Sequence, residues 1–178
     1  MIDPASGPFL FDTSADGYLQ RTASSAERQW IMAYSALFLR HVSVITVVER
    51  LRGYALLRER TGQVKKEESA YRNSLVRSIQ VVPLTAVVAV AGAELMAVCP
   101  APPSPARRSH RLAESRPERL SRWRFDILIA ATALAAGLPL IHNNPADFGF
   151  LRGAIERLPE RFPGVGPLEL ISIKRLAA

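Results

Sequence analysis

One cysteine, Cys99, stands among the 178 residues, so the chain forms no internal disulfide and a reducing compartment is the simpler expectation. Aromatics are scarce at 7% and do not interleave with the arginines, which argues against a stacking platform for single-stranded nucleic acid. There is no Gly-x-Ser-x-Gly nucleophile motif, no P-loop and no Cys/His zinc spacing, and Gly164-Val-Gly166 is too short for a nucleotide loop. A clean membrane span is missing too. Val81 to Val98 is apolar, but Pro83, Thr85 and Glu94 interrupt it, so a buried strand followed by a core helix is expected. The opening stretch Met1 to Pro8 has no basic segment and no long apolar run, so no secretory leader is expected and a cytoplasmic location is.

Acidic residues are outnumbered, 16 against 23 Lys and Arg, and the net charge of +7 favours an anionic partner. The excess is concentrated at Arg107, Arg108, Arg111, Arg116, Arg119, Arg122 and Arg124, opposed only by Glu114 and Glu118. Arginine suits bidentate phosphate contacts, although a charge run also serves as a plain solvated face.

Along the chain, strand and helix patterns alternate. Phe9 to Phe11 reads as a buried strand. Ser24-x-x-Glu27 is a capping box ahead of helical spacing at Trp30, Tyr34, Leu37 and Phe38. A β-branched strand is expected at His41 to Ile45, then a second capping box, Thr46-x-x-Glu49, opening a helix to about Arg60. A polar helix from Gln63 to Ser78, a strand from Ile79 to Val82 and an apolar helix from Thr85 to Val98 follow. Residues 99–108 carry four prolines, which favour an extended path and read as a loop inserted within one domain. Ser115-x-x-Glu118, with Pro117 in the first turn, begins a long helix that stops at Gly137. Leu138 to Ile141, Phe148 to Leu158 and Leu168 to Ile173 read as strand, helix and strand. Such alternation predicts an α/β sandwich with a mostly parallel sheet.

Asp12, Glu49 and Asp147 each fall at or shortly after the carboxyl end of a predicted strand, the edge where open α/β sheets bind ligands. Asp126 lies on a helix, and spacing alone does not bring it there. Each acid also has a local explanation: Asp12, Glu49 and Asp147 as helix caps, and Asp126 as the i,i+4 partner of Arg122. If all four meet, carboxylates about 4 Å apart repel by roughly 4 kcal/mol per pair at an effective dielectric near 20, and the cluster calls for a hard divalent cation.

Four ordered stretches carry a resemblance: Phe-Leu-Phe-Asp12-Thr-Ser; Val42 to Gly53 around Glu49; Asp126-Ile-Leu-Ile-Ala-Ala-Thr-Ala133; and Asn144-Pro-Ala-Asp147-Phe148. In this order the chain resembles PIN-domain ribonucleases of the VapC toxin type, from about Phe9 to Ile173. The resemblance implies a three-layer α/β/α sandwich in one domain over residues 1–178, with the Pro/Arg-rich insertion at about 99–114. It also implies an acidic pocket that holds Mg²⁺ or Mn²⁺ and cuts RNA, with Asp12, Glu49, Asp126 and Asp147 as both catalytic and metal-binding residues. Thr13, Asn144 and His142 take orienting positions. His142 is a departure, since the family commonly has Thr or Ser there; an imidazole can bind metal, contact phosphate or simply pack.

The same resemblance implies a small antitoxin partner, a homodimer, RNA as substrate and no membrane association. Arg119, Arg122 and Asp126 recur at i, i+3 and i+7 on one helix face. This gives Arg119 and Arg122, with Arg107, Arg108 and Arg111, as RNA-binding candidates. The rival expectations are a non-catalytic RNA- or antitoxin-binding PIN-like module and a structure-specific DNA nuclease.

Overall fold

The computed structural model describes residues 2–21, 24–103, 108–109 and 112–176. β1 (Leu10–Phe11) ends where Asp12 caps α1 (Thr13–Arg21), the Ala15 N–H donating to Asp12 Oδ1 at 2.6 Å. α2 (Ser25–Leu37) opens on the expected capping box of Ser24 and Glu27. β2 (Arg40–Ser43) then leads directly into α3 (Val44–Thr61).

Here the structure corrects the sequence reading. Ser43, not Thr46, caps α3: the Thr46 N–H donates to the Ser43 hydroxyl at 3.0 Å. Val44 and Ile45 therefore belong to the helix despite their β-branched side chains, and Glu49 is carried in its second turn rather than closing a capping box.

α4 (Lys66–Arg77), β3 (Ile79–Val82) and α5 (Ala86–Val98) follow, the last capped by Thr85. Within the insertion, β4 (Arg108–Ser109) and β5 (Leu112–Ala113) pair antiparallel, a local order the prolines before them did not predict. α6 (Arg116–Ala136) starts at the expected Ser115/Glu118 box and ends at Gly137, whose φ of 62° is left-handed and favours glycine. β6 (Leu140–His142) precedes α7 (Pro145–Arg157), which begins ahead of the expected Phe148 because Pro145 suits a first helical position. Asp147 is thus in the first turn of α7 and not a cap before it. β7 (Leu170–Ser172) closes the sheet.

The five strands run in the order β3-β2-β1-β6-β7, every pairing parallel, so the expected mostly parallel sheet is wholly parallel among the described residues. Side chains alternate between two cores, as a strand dictates. Leu10 and Leu140 face a core with Leu95, Trp123, Ile127 and Phe148 from α5, α6 and α7. Phe9, Phe11 and Ile141 face the other, with Ala15, Trp30, Tyr34 and Tyr71 from α1, α2 and α4. The result is the α/β/α sandwich. α5 and α6 approach closely at Gly92, where an added Cβ would stand 2.9 Å from Leu128 Cδ2.

Cys99 is buried, and its carbonyl accepts the Trp123 indole N–H at 2.7 Å. The apolar stretch from Val81 divides into β3 and α5, and no helix among the described residues is long and apolar enough to cross a membrane.

Candidate active site

β2, β1 and β6 are neighbours in the sheet, and each is followed at its carboxyl end by one acid: Glu49, Asp12 and Asp147 in turn. Asp12 is 3% exposed and accepts from the Ser14 hydroxyl at 2.7 Å as well as from Ala15 N–H. Its capping role is therefore real and coexists with its place at the edge. Burial pushes its carboxyl up to about 7, the charges of Glu49 and Asp16 add to this, and the hydrogen bonds from Ala15 and Ser14 oppose it. Thr13 donates its hydroxyl to Glu49, linking the residue after the first acid to the second acid.

Asp147 is fully buried and accepts from Asn144 Nδ2 at 2.6 Å. Asn144 occupies the N-cap position of α7 but makes no side-chain cap, because its amide is turned onto this carboxylate. Asp126 arrives from the middle of α6. Burial pushes its carboxyl well above the usual range, and the charges of Asp12, Glu49 and Asp147 raise it further, while Arg122 lowers it. All four acids thus act electrostatically on one spot, which spacing along the chain did not establish for Asp126.

Arg122 stands among them. Its Nη1 lies 3.3 Å from Asp147 Oδ2 and 3.9 Å from Asp126 Oδ2, and its Nε and Nη2 meet both oxygens of Glu114 at 3.0 Å. The expected i,i+4 pair with Asp126 exists but is the looser of the two. Arg119 donates Nη2 to the Pro102 carbonyl at 3.0 Å. Of the five arginines expected to meet RNA, Arg119 and Arg122 therefore have protein partners. Arg107 and Arg111 lie outside the described residues, as does the side chain of Arg108.

His142 ends β6, buried, with Nδ1 accepting the Asn144 N–H at 3.2 Å and its ring 5.2 Å from that of Phe148. Burial lowers its pKa to about 4, with a smaller push from Arg152, so it is neutral at physiological pH. Packing and a backbone hydrogen bond account for it.

Among the described residues, no three acidic, imidazole or thiol groups are drawn together closely enough to grip an ion as they stand. The donor set nevertheless fits a hard divalent cation. Its ligating atoms are all carboxylate oxygens, and Asp126 Oδ2 is buried with no hydrogen-bond partner amid like charges. Two buried acids escaped sequence reading: Glu68, which pairs with Arg58 and Arg72, and Asp16, which is fully buried and pairs with Arg40 at 3.0 Å and Arg50 at 3.5 Å, joining α1 to β2 and α3. The only signal for Asp16 was its position one helical turn after Asp12.

The family model for the PIN domain matches residues 9–149, from the strand before Asp12 to the turn bearing Asp147. The chain belongs to the PIN domain family. It is therefore a member of a family of nucleases, and the edge that gathers the four acids is the candidate nuclease site of this PIN domain. Its fold is shared with VapBC2 from Rickettsia felis bound to a DNA fragment from their promoter, at TM-score 0.56 and 14% identity over 92% of this chain and 97% of that one. DNA-bound VapBC from Salmonella typhimurium gives TM-score 0.55 and 17% identity over 93% and 97%. FitAcB from Neisseria gonorrhoeae gives 0.55 and 18% over 94% and 99%. No curated protein matches the chain in sequence.

Proposed function

We propose that this PIN domain is a divalent-metal-dependent endoribonuclease, the toxin of a type II toxin-antitoxin pair. The observation that carries the metal dependence is Asp126, a buried carboxyl whose Oδ2 has no hydrogen-bond partner and which feels the charges of Asp12, Glu49 and Asp147 together. Bound Mg²⁺ or Mn²⁺ supplies Lewis acidity at a scissile phosphate and a nucleophilic water at neutral pH. The chain's own residues prepare the place. Ala15 N–H and Ser14 aim Asp12, Thr13 aims Glu49, and Asn144 aims Asp147. Such supporting contacts fix the direction of each carboxylate before the ion arrives.

Support for RNA as substrate and for an antitoxin partner comes from the motif resemblance to VapC-type toxins, together with the fold shared with the VapBC and FitAcB structures. A homodimer belongs to the same reading. The test is cleavage of defined RNAs in Mg²⁺ or Mn²⁺ by wild type, Asp12→Asn and Asp126→Asn. Loss of activity in both variants is expected; equal activity in all three ends the assignment. A non-catalytic RNA- or antitoxin-binding module is favoured by one observation, the pairing of Arg122 with Asp147, and predicts binding without cleavage in the same assay. Substituting DNA flaps for RNA separates the remaining nuclease class.

A further inference from the structure

We infer that Arg122 is a resident cation of the acidic pocket, anchored by Glu114 of the insertion, and that it competes with a divalent ion for Asp147 and Asp126. The inference rests on the metal-dependent reading above and adds a control on it. The guanidinium is committed on both edges. Its Nε and Nη2 face form a two-point pair with Glu114, at 3.0 Å each, and Nη1 reaches Asp147 Oδ2 at 3.3 Å with Asp126 Oδ2 at 3.9 Å. A two-point guanidinium–carboxylate pair fixes direction as well as distance, so Glu114 determines where the remaining N–H points.

Arg122 and Asp126 are one turn apart on α6, so the backbone holds the charge beside the acid whatever the loops do. Asp147 Oδ2 is the atom in dispute, since it already accepts from Asn144 and meets Arg122. A guanidinium and a divalent ion near the same two carboxylates repel, so loading the pocket requires Arg122 to withdraw from them. The insertion takes part through ties to the same helix. Glu114 holds Arg122, and the Pro102 carbonyl accepts from Arg119 one turn earlier. The insertion is thereby coupled to how readily the pocket admits an ion.

The test is calorimetric titration of Mn²⁺ into the full chain without RNA, at low salt, for wild type, Arg122→Gln and Arg122→Lys. Arg122→Gln keeps a hydrogen-bond donor but removes the charge, and a dissociation constant at least about tenfold lower than wild type is expected. Arg122→Lys keeps the charge and loses the fork, so a smaller gain is expected. Unchanged or weaker Mn²⁺ binding by Arg122→Gln overturns the competition and leaves the metal reading standing. No Mn²⁺ binding by wild type or either variant overturns both. Should Arg122→Gln melt too early for titration, the rise in its melting temperature on adding Mn²⁺ replaces it. A rise larger than that of wild type supports the competition, and an equal or smaller one overturns it.

Discussion

Asp12→Asn isolates the cost of keeping a carboxylate in this pocket. Asparagine caps helices as well as aspartate does, so the hydrogen bond from Ala15 N–H survives while the charge is lost. In the folded chain the Asp12 carboxyl is raised from 3.8 to about 7, so well below pH 4 it is protonated in both states and carries no penalty. As pH rises, the unfolded chain releases this proton first, and stability falls until pH passes the folded value. The difference corresponds to about 4 kcal/mol, most of it lost between pH 4 and pH 8. Urea unfolding in chelator should show wild type losing stability across that window relative to Asp12→Asn, with the variant the more stable at pH 8. Mn²⁺ at pH 8 should stabilise wild type more than the variant. Parallel stability curves for the two proteins between pH 4 and pH 8 would refute the reasoning, because they would mean that the carboxyl titrates alike in both states.

The other predictions concern the groups around the acids. Asn144→Ala removes the 2.6 Å contact to Asp147 and should weaken Mn²⁺ binding by about 10- to 100-fold in calorimetry, with little change in helix content since Asn144 makes no side-chain cap. His142→Thr should flatten acid unfolding. With its folded pKa lowered to about 4, His142 costs stability as pH falls below 6.5, by about 3 kcal/mol in full, and the variant should lack that loss in urea titrations at pH 4 and pH 7. The cleavage rate of wild type should show no inflection from this imidazole between pH 5 and pH 8. Ser43→Ala should cost about 1 kcal/mol by urea unfolding, whereas Thr46→Ser, which keeps the N–H that Ser43 caps, should cost less.

Local signals read well because the interactions behind them span a few residues. The boxes at Ser24 and Ser115 and the stop at Gly137 are each closed by hydrogen bonds within one or two turns, and they appear where their residues predict. The start of α3 differs from the sequence expectation for a related reason. Two Ser/Thr residues three positions apart compete as caps, and the choice depends on where β2 stops pairing, at Ser43 opposite Val82. His142 was open between ligand and packing until its surroundings were known, because neutrality there comes from burial by residues distant in sequence.

Period-two and helical spacing, prolines and caps were enough to determine an alternating α/β chain with acids at the carboxyl ends of its strands, and ordered motifs were enough for the family resemblance. Tertiary structure alone decided which strands are neighbours and so which acids meet. It brought Asp126 from a helix to an edge built by three strands, and it set Arg122 between Glu114, eight residues away, and Asp147, 25 residues away. Electrostatic coupling depends on distance in space and on burial, and neither is written in the spacing of a sequence.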